Sequence, residues 1–158
     1  VFIGMHSKQK QWLTSAIFQR NKLASEVSHA YEKAIYLLNT FNPELVNKAG
    51  KPAGSLSQID RRRVEICRAM AMEPKLLLLD EPSAGMNTEE KDDLRIWIKD
   101  IQEDYQVTIL LIEHDMNMVM GISDRILAIS QGVKIIEGTP QEVQKNPDVI
   151  AAYLGEED

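Results

Sequence analysis

Apolar positions along this chain follow two rhythms, one of three- and four-residue steps and one of short unbroken runs. Val27, Ala30, Tyr31, Ala34, Leu38 and Phe41 keep the first and predict a helix to about Asn39 with one apolar stripe. Trp12, Ile17 and Phe18 predict an earlier helix in the helical text from His6, with Lys8, Lys10, Arg20 and Lys22 on a solvated face. Val1–Gly4 reads as the tail of an element begun upstream. Asn42-Pro43 breaks the helix, and Asn47–Ser55, with two glycines and a proline, reads as a loop. Ser57 then predicts an N-cap for a helix from about Gln58 to Met72. Asp60 would face the positive end of its dipole, and Val64, Cys67, Met70 and Ala71 would line its inward side.

The second rhythm carries the chemistry. Leu76–Leu79 is a run of leucines that stops in Asp80, Glu81 and Pro82, which predicts a buried parallel strand with acids at its C-terminal edge. Asn87-Thr88-Glu89-Glu90 opens a helix to Tyr105 whose buried side is Leu94, Trp97, Ile98 and Ile101. Thr108–Ile112 predicts a second buried strand, ending in Glu113-His114-Asp115, and Met116–Ile122 a short helix. Arg125–Ser130 predicts a third strand, turned by Gln131-Gly132 into Val133–Glu137 as a hairpin. Thr139-Pro140 and Asn146-Pro147 start two short helices before an acidic tail, Glu156-Glu157-Asp158. Strands alternating with helices in this order predict an α/β fold with a parallel sheet and a late antiparallel strand.

Composition narrows the function. The 158 residues suit one domain, and a hydrophobic content of 44% supplies a sizeable core. A net charge of −6 argues against a nucleic-acid binder, so Arg61-Arg62-Arg63 reads as a helix surface paired with carboxylates. A single cysteine, Cys67, excludes an internal disulfide and reads as a buried, inert thiol. No apolar run approaches membrane-spanning length, and His6 and His29 have no metal-ligand spacing. The chain starts in mid-pattern at Val1, which reads as a piece of something longer.

In open α/β sheets the carboxyl ends of the strands are where ligands bind. If the two leucine-rich strands are neighbours, Asp80, Glu81 and His114 share one rim. Asp80 could then hold magnesium through water, Glu81 could orient or deprotonate the attacking water, and His114 could hydrogen-bond a transferring phosphoryl group. Such a site also needs a phosphate cradle, usually G-x-x-x-x-G-K-[ST] before a helix. No such string occurs here; the nearest fragment, Gly50-Lys51, runs into Pro52. Two readings stay open on these residues: half of an ATPase, or an acidic strand end with no catalytic role.

LLLLDEPSAGMN, TILLIEHDMNMVM and DRILAISQGVKIIEGTPQEVQKNPDVIAAYLG resemble the ATP-binding subunits of ABC transporters, and among them the branched-chain amino acid uptake group. The resemblance runs from Val1 to about Gly155, over the C-terminal portion of that family, without its P-loop or glutamine loop. It implies a P-loop NTPase-like parallel sheet with an α-helical ABC subdomain. Residues 1–72 would be the helical signature subdomain, 73–138 the C-terminal part of the ATPase core, and 139–158 a helical extension and tail.

The resemblance also implies ATP and Mg2+ as cofactors. Asp80 would be the magnesium-associated Walker B aspartate, Glu81 the catalytic carboxylate and His114 the switch histidine. Ser83 to Asn87 would form a loop addressing the partner subunit's site, with Ser83 and Asn87 as its nucleotide-facing residues. Leu56–Asp60 aligns with the family's LSxGQ signature, and Ser57 would meet ATP held by the opposite subunit. Ile59 and Asp60 replace the usual glycine and glutamine, so this half-site is expected to be weakened. There Ile59 would hinder a close phosphate approach, and Asp60 would add charge offset by Arg61.

Its implied partners are a second ABC ATPase subunit (homo- or heterodimer), membrane permease subunits and, indirectly, a substrate-binding protein, with no nucleic acid. The implied place is the cytoplasmic face of the inner or plasma membrane, peripherally. The function implied is ATP-driven import of branched-chain amino acids, with the P-loop-less chain not competent alone. Lipopolysaccharide export, or a non-catalytic dimerisation or regulatory module, are the alternatives.

Overall fold

Among the described residues six polar side chains each open a helix. Asn42, Ser57, Asn87, Asp115, Thr139 and Asn146 each accept a hydrogen bond from a backbone N–H two or three residues on. Each satisfies donors that a helix start leaves orphaned. At Asn87 and Thr139 a glutamate three residues later bonds back to the cap's own N–H, completing a capping box. The computed structural model describes residues 20–154. The expected segment at Val1–Gly4, the first helix with Trp12, Ile17 and Phe18, His6, and the acidic tail lie outside the described residues.

Between these starts run α1 (Arg20–Phe41), α2 (Pro43–Asn47), α3 (Gln58–Met70), β1 (Leu76–Asp80) and α4 (Thr88–Tyr105). There follow β2 (Thr108–Ile112), α5 (Met116–Ile122), β3 (Ile126–Ser130), β4 (Val133–Gly138), α6 (Pro140–Gln144) and α7 (Pro147–Val149), with a closing π-turn at Ile150–Leu154. β1 and β2 pair in parallel, Leu76 opposite Thr108 through Asp80 opposite Ile112. That register brings the two strand ends level, so whatever follows Asp80 meets whatever follows Ile112.

The core lies on one face of this pair. Leu77 and Leu79 pack with Leu94, Trp97, Ile98 and Ile101 of α4 and with Ile66, Cys67 and Met70 of α3. Cys67 is fully buried, and loss of solvent pushes its thiol up to about 12, so it stays protonated and inert. The opposite face is uncovered: Leu76, Leu78, Leu110 and Ile112 are each more than half exposed. The leucine run predicts burial on both faces, whereas the described residues cover only one.

The third strand also departs from expectation. Among the described residues β3 does not join the parallel sheet; it pairs only with β4, antiparallel, with an irregularity at Ala128/Ile129. A cleft of about 840 Å³ separates β2 from β3, lined by Ile109, Leu111, Ile112, Ile126, Leu127 and Ile129. Val143 and Val149, both fully buried, press the C-terminal helices onto Ile126 and Ala128. The Tyr153 hydroxyl donates to the Ile129 carbonyl and fastens the π-turn to β3.

The stripe on α1 is shifted from the one its sequence predicts. Ala30, Ala34, Leu37 and Leu38 are buried, while Val27 and Tyr31 are exposed. Small alanines let α1 close on the end of α3, where Ala30 and Leu37 meet Ala71. Val27 and Tyr31 sit a partial turn away from that contact. Among the described residues, no helix is long and apolar enough to cross a membrane.

Candidate functional site

β1 delivers Asp80, exposed, and then Glu81 in the left-handed region at φ 41. A non-glycine residue there stores local strain, which persists only where its surroundings fix it. Here the Glu81 N–H donates to the Ile112 carbonyl at 2.9 Å, extending the strand pairing one step, and buried Pro82 follows. The chain then turns tightly: Ala84 N–H donates to Glu81 O at 3.2 Å and Met86 N–H to Ser83 O at 3.1 Å, with Gly85 at φ 74.

β2 delivers Glu113, His114 and Asp115. His114 Nδ1 stands 3.4 Å from Glu81 Oε1, so the two strand tips place an imidazole beside a carboxylate. Both side chains are largely open to water, at 71% and 52% exposure, so an incoming ligand can reach them. Asp115 turns away to cap α5 and pairs with Lys91 Nζ at 2.6 Å. The Lys91 hydrogen bond holds the Asp115 carboxyl below the usual carboxylate range, and Asp115 in turn raises Lys91. The loop after His114 is thereby tied to α4.

Asp80 fits a magnesium ligand of the kind that needs little from the protein. Among the described residues no group of three or more His, Cys, Asp or Glu could hold a metal. Magnesium at phosphoryl-transfer sites commonly takes one or two carboxylates and fills its octahedron with phosphate oxygens and water. A single exposed carboxylate beside Glu81 suits that donor set.

Ser57 is exposed at the N-terminus of α3, its hydroxyl oxygen accepting from Asp60 N–H at 3.2 Å. The two unusual residues after it are not where the sequence suggests. Ile59 is packed in the core with Leu38, Leu45 and Ile66, so its side chain does not cover the helix end. Asp60 is also buried, paired with Lys48 Nζ at 2.6 Å and near Arg63 at 4.0 Å. Its offset therefore comes from Lys48 and Arg63, while Arg61 is exposed. The same hydrogen bond raises Lys48.

Ser83 and Asn87 carry local structural contacts. Ser83 is 2% exposed, and Asn87 uses its side chain to cap α4. The structure thus gathers Asp80, Glu81 and His114 on one rim, sets Ser57 at a helix end, and turns Ser83 inward. Three further side chains grip the turn after Glu81. Glu113 Oε1 accepts from Ser83 N–H at 2.9 Å, Arg62 Nε donates to Pro82 O at 3.0 Å, and Gln58 Nε2 donates to Ala84 O at 2.6 Å. The sequence assigns none of the three to this turn. Arg62 is expected to pair with a carboxylate, as it does with Glu65 at 2.8 Å, and for Glu113 the signal is a third polar residue at the end of an apolar strand.

Comparison with known proteins places the chain in a family. Residues 133–158 match a family described as branched-chain amino acid ATP-binding cassette transporter. The chain is 41% identical over 156 residues to the high-affinity branched-chain amino acid transport ATP-binding protein LivG of Salmonella typhimurium, covering 99% of this chain and 60% of that protein. It is 40% identical, with the same coverage, to the corresponding protein BraF of Pseudomonas aeruginosa. The chain thus spans about 60% of the length of these curated relatives. Among solved structures it resembles the ADP conformation of MJ1267, an ATP-binding cassette of an ABC transporter. That likeness has a TM-score of 0.70 and 30% identity, over 79% of this chain and 50% of that one. Residues 3–84, just over half of the chain, match the ABC transporter family model, and the chain belongs to the ABC transporter family.

Proposed function

We propose that this chain supplies the carboxylate and histidine side of an ABC-type ATPase that drives import of branched-chain amino acids. The observation that carries the reading is the 3.4 Å approach of His114 to Glu81 at the level ends of two parallel strands. Glu81 accepts a proton from, or aims, the water that attacks the terminal phosphorus of ATP. His114 steadies that water and the transferring phosphoryl oxygens by hydrogen bonding. Asp80 holds magnesium through water; when bound, the ion neutralises charge developing on the phosphate oxygens.

The phosphate cradle comes from a segment other than those described, whose strand would lie beside Thr108–Ile112. The cleft between β2 and β3 and the uncovered Leu110 and Ile112 support this. Ser57 serves ATP held by a second ATPase subunit, across an interface to which the loop 83–87 contributes. Similarity to LivG and BraF, and the family match at 133–158, support branched-chain amino acids as the transported class. Membrane permease subunits and a substrate-binding protein would complete the assembly, with this subunit peripheral on the cytoplasmic face.

ATP binding and turnover by the full-length ATPase and its Glu81→Gln variant test the reading. The variant binds ATP and hydrolyses it poorly; unchanged turnover removes Glu81 from its role.

A further inference from the structure

The turn 81–86 is held from two sides by side chains that the proposed chemistry does not use. On one side, Gln58 and Arg62 stand one helical turn apart on α3, hence on one face of it. Their donors reach alternate carbonyls of the turn, Ala84 at 2.6 Å and Pro82 at 3.0 Å. On the other side, Glu113 takes the intervening N–H, that of Ser83, at 2.9 Å. Its second carboxylate oxygen is buried with no hydrogen-bond partner among the described residues. A carboxylate oxygen buried without a partner is costly, so the one backbone contact constrains where Glu113 sits. Gly85 fits the same grip: a Cβ there would lie 2.6 Å from Gln58 Nε2, so the carboxamide would have to shift.

We infer that Gln58, Arg62 and Glu113 are positioning residues that fix the turn carrying Glu81 to the signature helix and to the histidine strand. Gln58 follows Ser57 directly, so the clamp joins the helix end proposed to meet one nucleotide to the carboxylate proposed to act on another. A displacement of α3 pulls on Ala84 and Pro82 and is felt at Glu81. The clamp rests on the proposed ATPase reading and adds to it three residues that touch no substrate.

Gln58→Glu separates positioning from folding. A glutamate at the first residue of α3 suits the helix dipole, so the fold is kept, while an acceptor replaces the donor facing Ala84 O. ATP binding, turnover and thermal unfolding of the full-length ATPase are compared for Gln58→Glu, Glu113→Ala, Glu113→Gln and Glu81→Gln. Gln58→Glu and Glu113→Ala lower kcat roughly tenfold each, on the order of one lost hydrogen bond. Affinity for ATP holds in Glu113→Ala, and Tm is not lowered in Gln58→Glu. Glu113→Gln, whose amide oxygen still accepts from Ser83, recovers most of the loss. Wild-type kcat in Gln58→Glu and Glu113→Ala, with Glu81→Gln inactive, overturns the clamp and leaves the ATPase reading standing. Wild-type kcat in Glu81→Gln overturns the ATPase reading itself.

Discussion

His114 Nδ1 lies 3.4 Å from Glu81 Oε1, across two strands whose facing ends are Asp80 and Ile112. Register brings them near: the ends are level, Glu81 lies one position past the end of β1 and His114 two past the end of β2. Removing the imidazole leaves the carboxylate in place but takes away the group proposed to orient water and phosphoryl oxygens. His114→Ala is expected to lower turnover by about 10²-fold with ATP affinity little changed, measured by steady-state kinetics and nucleotide titration on the full-length ATPase.

Ile59 belongs to the core, although it stands where the family signature has glycine. Restoring the family residue with Ile59→Gly should therefore destabilise the chain. A buried isoleucine is lost and a glycine enters the first turn of α3, for a combined cost of about 3 kcal/mol. Urea unfolding of the two proteins measures it. A difference near zero would mean that Ile59 does not pack as described.

The Asp115–Lys91 pair sets a pH dependence with a definite sign. Asp115 has a lowered folded-state pKa, chiefly through Lys91, so its contribution is complete above the unfolded carboxylate value near ~3.9 and disappears as pH falls through the lower folded value. Asp115→Asn keeps a cap for α5 and removes the charge. The stability advantage of the wild type over this variant, read from urea unfolding, should be present at neutral pH and vanish in acid. An advantage that grows on acidification contradicts the assignment.

Leu76, Leu78, Leu110 and Ile112 form an uncovered apolar face, and β2 has a free edge among the described residues. Such faces and edges drive association. The 158-residue chain alone is expected to self-associate with rising concentration in sedimentation velocity, and Leu78→Lys with Ile112→Lys to shift it toward monomer.

Much of this was legible in the sequence because local signals agreed with the fold. The leucine run into Asp80-Glu81-Pro82 and the β-branched run into Glu113-His114-Asp115 gave both strands, and Ser57, Asn87 and Thr139 gave helix starts within a residue. Ile59 and Asp60 were misread because a signature alignment supplies position along a helix but not which way each side chain faces. Both turn inward, toward Leu45 and Lys48, once α2 and its following loop pack against α3. The clamp was hidden for a similar reason. Gln58 and Arg62 bond to carbonyls more than twenty positions beyond Gln58, and backbone acceptors leave no mark in sequence. Among the described residues β1 is covered on one face only, since a leucine run does not say what covers its second side.

A single comparison weighs most on the proposed chemistry: the ATP turnover of Glu81→Gln in the full-length ATPase, with ATP affinity measured alongside. Retained affinity with turnover lowered by 10²-fold or more is the expected result. Turnover equal to the wild type at equal affinity would contradict it, and the pairing of Glu81 with His114 would then be a structural contact only.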